Sequence, residues 1–447
     1  MKKLVAIFKN KDIRDRIFFT LGIILIFRIG ATISVPGVTI SKDVMDTSNV
    51  LALMNLMGGG ALQNFSLFAL GVSPYITSSI IIQLLSMDVL PALTELSKQG
   101  QTGRKKIEMA TRYLTLVLGA VQAYGITVTM QNSDSITLLD STFWGYTKIV
   151  IFLIAGSMLV MWMADQITSK GIGNGVSMII FVGIIASLPT QILGALEYFF
   201  GTELITGDEA LILRGAIEVV IYILAYLLII LFVAFVEKSV RKIPVQHSNK
   251  GGALNAKVNN TSFLPIKINS AGVIPVIFAS SLMMAPAVIV SFAVPSTNAT
   301  IDNILNIFNS SALVEMPWFD EKVWYMPWGL IIYIVLTFAF SFFYSNLTIN
   351  PERLAEDFQK SGSYIPGIRP GNETRRYIQK GLNRVTFIGA SALTVIGALP
   401  IVLTLLGIVP QSLALGGTGM IIVVGVALET MNQINGLLAS NEHANVI

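Results

Sequence analysis

The polar side chains that interrupt the apolar stretches of this 447-residue chain are almost all uncharged. They are Ser73, Thr77, Ser78, Ser79, Gln83 and Ser86 in one stretch, Gln122 in another, and Asn269 with Ser270 at the head of a third. Hydroxyls and amides of this kind form hydrogen bonds between packed apolar helices, each worth about 1 kcal/mol or less, which suits a contact that must break as well as form. Groups for covalent, metal or proton chemistry are scarce. There is no Cys, and the two His stand at 247 and 443, so neither a thiolate centre nor an imidazole cluster is on offer. Acids deep in apolar stretches would mark an ion-coupled transporter or a proton relay. Here Asp165 and Glu429 fall near the ends of theirs, and Arg28 is the one base inside such a stretch. Neither a P-loop nor a dinucleotide fingerprint occurs. No catalytic residue, metal ligand or cofactor is therefore expected. The run GIGNG at 171–175 predicts a tight turn.

What must position these groups is a membrane scaffold. The chain is 53% hydrophobic and 13% charged, where a soluble domain carries about a quarter charged residues. Apolar runs of spanning length lie near Phe18–Ile33, Gly71–Leu90, Tyr113–Met130, Thr147–Ala164, Gly175–Ala195, Ala216–Val236, Ile268–Val294, Trp328–Leu347, Val385–Ile408 and Met420–Leu438. The basic start before the first run has no small-residue cleavage pattern after it, so that run reads as a retained span. Ten spans place both ends on one side. Of the 30 Lys and Arg, all but Lys42, Lys148, Arg214, Lys322 and Arg28 fall on that side, which predicts cytoplasmic N- and C-termini. Two loops there, 237–267 and 350–384, are longer than a connection requires, and their basic residues alternate with Gly, Pro and Asn, predicting exposed hairpins or turns. Across the membrane the longest connection, 295–326, carries Trp318 and Trp324, which with Trp144 and Trp328 fit an interfacial aromatic belt. The chain divides into 1–194 and 216–447, five spans each, joined by 195–215. An odd number of spans per block makes any structural repeat an inverted one.

One stretch, Asn55 to Pro91, does not fit a simple span. Gly58, Gly59 and Gly60 open it, and Gly71 with Pro74 interrupts it. The first piece, Ala61 to Leu70, is too short to cross a core that needs about 20 residues. It is expected as a short re-entrant helix, tolerated where protein or a water-filled cavity surrounds it, followed by a cavity-lining span.

Several long stretches resemble one family. They are FRIGATISVPG (27–37), GGALQNFSLFALGVSPYITSSIIIQLL (59–85), TGRKKIEMATRYLTLVLG (102–119), DQITSKGIGNGVSMIIF (165–181), LPIKINSAGVIPVIFASS (264–281) and NPERLAEDFQKSGSYIPGIRPG (350–371). By these the chain is identified as similar to the SecY family, the channel subunits of the bacterial protein translocase. The resemblance implies an all-α polytopic protein of ten transmembrane helices, in two pseudo-symmetric five-helix halves around a central pore. It implies a plug at about 58–68, here Gly58, Gly59, Gly60, Ala61, Leu62 and Phe65. It further implies an aliphatic pore ring of Val72, Ile76, Val176, Ile180, Ile277 and Ile422. A lateral gate between the second and seventh spans would carry Gln83, Gln122 and Asn269. Arg241, Lys242, Lys250, Arg369, Arg375 and Arg376 would dock the SecA motor or the ribosome. The implied partners are the SecE and SecG subunits, SecA, the ribosome, signal sequences and nascent preproteins, the lipid bilayer, and the YidC insertase and SecDF. The implied location is the bacterial cytoplasmic membrane. The implied activity is not enzymatic: unfolded preproteins cross, and apolar segments leave sideways into lipid. The competing reading from the residues is a secondary transporter of a small solute, on ten spans and a broken helix. Such a transporter would want a charged or polar midplane site, where this chain offers aliphatic residues.

Overall fold

The computed structural model describes residues 9–40, 55, 58, 60–86, 90–132, 135–200, 209–247, 262–293, 307–309, 313–316 and 324–444. Gly59, Lys250, most of 295–326 and part of 195–215 lie outside them. Apolar chain in lipid must satisfy its backbone internally, and long helices do so. In chain order these are α1 (Lys11–Gly30), α2 (Ser73–Leu85), α3 (Pro91–Lys98), α4 (Gly100–Asn132), α5 (Phe143–Lys170), α6 (Gly175–Phe200), α7 (Glu209–Lys238), α8 (Ile274–Ala293), α9 (Trp328–Thr348), α10 (Pro351–Lys360), α11 (Asn372–Leu405) and α12 (Gln411–Ala444). Among the described residues seven helical stretches, on α4, α5, α6, α7, α9, α11 and α12, are long and apolar enough to cross a membrane. The other three expected spans fall on α1, α2 and α8. Local chemistry sets the helix ends. The Asn10 side chain accepts the Asp12 N–H at 3.2 Å to cap α1, and the Asn350 side chain accepts from Glu352 and Arg353 at 3.0 and 3.2 Å to cap α10.

Two expectations fail locally. The second span, expected over Gly71–Leu90, is a helix only over Ser73–Leu85, about 20 Å long. At its end the Ser86 N–H and hydroxyl bond back to the Ile82 and Gln83 carbonyls at 2.9 and 2.7 Å, and Pro91 opens a new helix at its first turn. The expected short helix at Ala61 to Leu70 is instead a series of turns. Its backbone is engaged elsewhere: the Val35 N–H donates to the Phe65 carbonyl and the Leu67 N–H to the Ile33 carbonyl, both at 3.0 Å, around a bridge between Ser34 and Ser66. A segment tied to another chain segment in this way cannot close its own helical ladder.

α2 packs between α4 and α8, α8 against α4 and α9, and α12 against α6, α7 and α11. Inside lies one continuous hydrophobic core, running from Phe27 of α1 through Leu62, Phe65 and Ile76 to Ile421 and Ile422 of α12. Outward faces are apolar too. On α7, Leu228, Leu231 and Phe235 are 68%, 70% and 70% exposed, which water would not tolerate as a continuous patch and lipid does.

The two long basic loops fold together. Strands β3 (Val240–His247) and β4 (Ser262–Lys267) form an antiparallel hairpin, and β7 (Ser363–Tyr364) joins the far end of β3 by pairing Gln246 with Tyr364 and His247 with Ser363. Pro244 fits inside β3 because β7 reaches only its last two residues, leaving that edge without a partner strand. Ile243, Ile266, Ile365, Ile378, Leu382 and Val385 close a separate small core against α11. The expectation of exposed hairpins and turns is thus corrected in part: a hairpin forms, but it covers buried structure. Shorter ladders join β1 (Val38–Ile40) to β2 (Ile136–Leu138) and β5 (Val314–Met316) to β6 (Trp324–Met326).

Candidate functional site

The turns at 60–72 carry the residues expected as a plug into the middle of the core. Ala61, Leu62 and Phe65 are fully buried, and Gly60 and Gly71 take φ of 80° and 52°. Phe65 itself adopts φ 38°, a left-handed conformation that costs a non-glycine residue energy and persists only where its surroundings impose it. Those surroundings include residues that sequence reasoning missed. The Asn55 side chain, itself buried, accepts the Gln63 N–H at 2.9 Å, and its carbonyl accepts the Gly60 N–H at 2.8 Å. Phe68 stacks on Phe27 at a ring separation of 5.8 Å. It lies where a Cβ on Gly30 would come within 2.0 Å of its ring, while a Cβ on Gly156 would lie 1.7 Å from the Leu67 carbonyl oxygen. The segment is thus wedged between α1 and α5 at two glycines. An Asn ahead of a Gly triplet was the one signal available in the sequence. Gly58 is a turn residue, and Gly59 lies outside the described residues.

The six residues expected as a pore ring all belong to the central core or pack against it. Val72 caps the N-terminus of α2, Ile76 follows one turn later, Val176 and Ile180 share a face of α6, and Ile277 and Ile422 come from α8 and α12. Val72, Ile76, Ile180, Ile277 and Ile422 are buried in the same core as Leu62 and Phe65, and Val176 packs against it. All six side chains are aliphatic, and an aliphatic lining offers water no hydrogen bond.

The GIGNG turn that delivers Val176 and Ile180 is more than a connection. Asn174 accepts the Val176 and Ser177 N–H groups at 3.1 and 3.3 Å to cap α6. The Gly173 N–H, at φ 87°, donates to Gln433 of α12 at 2.6 Å, and a Cβ on Gly175 would lie 1.8 Å from the Ala164 carbonyl oxygen.

The three expected gate residues have different surroundings. Gln83, on α2, accepts a hydrogen bond from the Tyr344 hydroxyl of α9 at 2.5 Å. Gln122, on α4, is buried with its side-chain oxygen unpartnered among the described residues. Asn269 corrects the expected span, because α8 begins at Ile274, not Ile268. Gly272 at φ 67° sits in the turn ahead of it. From that turn Asn269 donates to Glu237 at 2.6 Å and to the Gly272 carbonyl at 2.9 Å. The amide therefore ties the approach to α8 onto the end of α7 and does not reach toward α2.

Of the basic residues, Arg241 and Lys242 lie exposed on β3, opposite Ile266 and Pro265. Arg369 is exposed at the turn before α11, its carbonyl accepting the Thr374 hydroxyl at 2.9 Å. Arg375 pairs with Glu352 at 2.8 Å, both half-exposed. Arg375 and Arg376 join Lys380, Arg384, Asn372 and Gln379 along a concave face of about 720 Å³. Lys250 lies outside the described residues. All the described ones belong to the subdomain built by β3, β4, β7 and α11.

The SecY family model matches residues 66–431. The protein translocase subunit SecY of Lactococcus lactis subsp. lactis (strain IL1403) is 40% identical over 447 residues, covering 99% of this chain and 97% of the relative. A solved structure of a protein-conducting channel superposes with a TM-score of 0.67 at 18% identity, covering 94% of this chain and 91% of the other. Another superposes with a TM-score of 0.65, also at 18% identity and with the same coverages; its subject is a SecY plug domain that stabilises the closed state of the translocation channel and maintains a membrane seal. At that identity the two likenesses speak for the fold.

Proposed function

The chain belongs to the SecY family, and on that premise we propose how its parts divide the work of a protein-conducting channel. It is a channel subunit of a protein translocase and a multi-pass membrane protein, not an enzyme. Residues 1–194 and 216–447 are its two halves, hinged at 195–215. Val72, Ile76, Val176, Ile180, Ile277 and Ile422 form the constriction. An unfolded polypeptide presents every kind of side chain and an unpaired backbone, so matched polar contacts would trap it. Flexible aliphatic side chains grip it weakly and close again behind it. Residues 58–68 plug the path from the far side. An apolar signal or membrane segment parts α2 from α8 and trades their contacts for its own and for lipid, so selection is by hydrophobicity.

Its partners are further translocation components, with SecE and SecG as companion subunits and YidC and SecDF nearby. The subdomain under β3, β4 and β7 faces the cytoplasm together with both termini, in the cytoplasmic membrane of a bacterium. It docks the SecA motor or the ribosome through Arg241, Lys242, Lys250, Arg369, Arg375 and Arg376, the guanidinium groups of the four arginines being able to pair bidentately with carboxylate or phosphate.

The observation that supports this reading is that Val72, Ile76, Ile180, Ile277 and Ile422 are buried in one core with Ala61, Leu62 and Phe65, and that Val176 packs against it. Because the chain has no Cys, single Ile76→Cys and Ile277→Cys variants give clean probes. Both should crosslink to a secretory chain stalled in transit, whereas Phe235→Cys on the outer face of α7 should not. Absence of crosslinks at 76 and 277 to a chain shown to be stalled in the membrane would overturn the pore assignment.

A further inference from the structure

Gln83 and Tyr344 lie 261 residues apart, one in each half, and their hydrogen bond at 2.5 Å crosses the seam where α2 meets the second half. Each partner is held for it. The Gln83 amide nitrogen donates to Ser79 at 3.1 Å, which turns the amide oxygen toward the Tyr344 hydroxyl. Tyr344 is 7% exposed. Its ring meets Phe278 of α8 edge-on at 5.0 Å and 81°, and Phe343 at 5.2 Å. Phe278 also meets Phe340 of α9 at 6.1 Å and 88°. The aromatic group thus fixes α9 to α8, and the Tyr344 hydroxyl reaches across to α2.

Other hydrogen bonds between the halves lie elsewhere. Gly173 to Gln433 at 2.6 Å joins the turn ahead of α6 to α12, and Thr430 to Met178 at 3.8 Å joins α12 to α6. Parting α2 from α8 can leave these in place, but it must pull Gln83 from Tyr344. That would leave a buried hydroxyl among phenyl rings with no acceptor, a state with a real cost in an apolar setting.

We infer that the Tyr344–Gln83 hydrogen bond, braced by Phe278, is a latch on the lateral gate that sets how hydrophobic a segment must be to open it. The inference rests on the channel reading above and adds to it a residue from a helix outside the α2–α8 pair. One interhelical hydrogen bond of ordinary strength in a membrane shifts an opening equilibrium about fivefold.

The test is export of a secreted reporter carrying signal sequences of graded hydrophobicity. Tyr344→Phe keeps the ring and its packing and removes only the hydroxyl. It should raise export of the weakest signals about fivefold while leaving strong signals at the parental level. Gln83→Leu should do the same, and the two together should do no more than either alone, because both delete one bond. A merely structural role for either residue would give effects that multiply in the double variant. Multiplying effects, or a Tyr344→Phe profile identical to the parent, would overturn the latch while strong-signal export continues. Failure of the unaltered chain to export any signal-bearing reporter would instead overturn the channel reading, and the latch with it.

Discussion

At the residue scale, two glycines that the sequence did not mark as points of close approach decide where the central segment sits. Gly30 and Gly156 matter because Phe68 and the Leu67 carbonyl occupy the space a side chain would take. Gly156→Ala places a methyl against a backbone oxygen that is itself held by its neighbours' pairing to 33–35, so the segment must lift or α5 must move. The expected outcome is a channel that inserts normally and leaks ions when idle, seen as raised resting conductance in planar bilayers. Gly22→Ala on the same kind of helix, where a Cβ meets nothing within 4 Å, should conduct like the parent. Equal conductance in both would show that the wedge does not seat the plug. These roles were not legible in the sequence, because a glycine needed for close approach looks the same there as one that is merely tolerated. The GIGNG run was legible as a turn, yet its hydrogen bond to Gln433 joins positions 260 apart and leaves no local trace.

At the element scale, the basic loops act as one unit because β7 completes the sheet begun by β3 and β4. Their aliphatic residues are spread over more than 140 positions, as Ile243 and Val385 show, and only the fold gathers them into a core. Ile378 is fully buried there, and truncating such an isoleucine to alanine costs about 2–5 kcal/mol through lost burial and the cavity left behind. A core of six aliphatic side chains has little reserve against that. Ile378→Ala should therefore loosen this subdomain alone, so that a protease added to the exposed face cuts within 237–267 and 350–384 far faster than in the parent. The spans should stay protected, since their core is separate. Unchanged cutting would mean that the sheet stands without this core. The sequence disclosed the charge of the loops and the Gly, Pro and Asn that shape their turns. It hid their joining, since β7 is two residues long and pairs with a strand more than 110 positions earlier.

At the scale of the whole molecule, the spans were readable because lipid enforces length and hydropathy on every helix. The helices depart from the apolar runs at Ser86, which follows α2, and at the turn through Gly272, at φ 67°, ahead of α8. The plug region was readable as a break but not as a shape, because its turns depend on backbone pairing to residues 33–35. Its consequence for function is nonetheless specific. The segment buries Ala61, Leu62 and Phe65 in the core that also holds residues of the proposed constriction, and is seated beyond them by Leu67 and Phe68 between α1 and α5. Deleting residues 58–66 removes the buried part and the bridge at Ser66 but leaves that seat and all six ring residues. The channel should then lose its seal without losing its constriction. Resting conductance in planar bilayers should rise, and a reporter with a defective signal sequence should be exported, while proteins with intact signals still cross. A polar change in the ring itself, Ile76→Asn, should favour wetting of the constriction and relax selection in the same direction. The two defects differ in kind. The deletion opens a path the ring must close alone, whereas Ile76→Asn weakens the ring beneath an intact plug, so combining them should leak more than either. If the deletion neither leaks nor relaxes selection, even briefly after opening, residues 58–66 do not seal this channel and their burial serves packing alone.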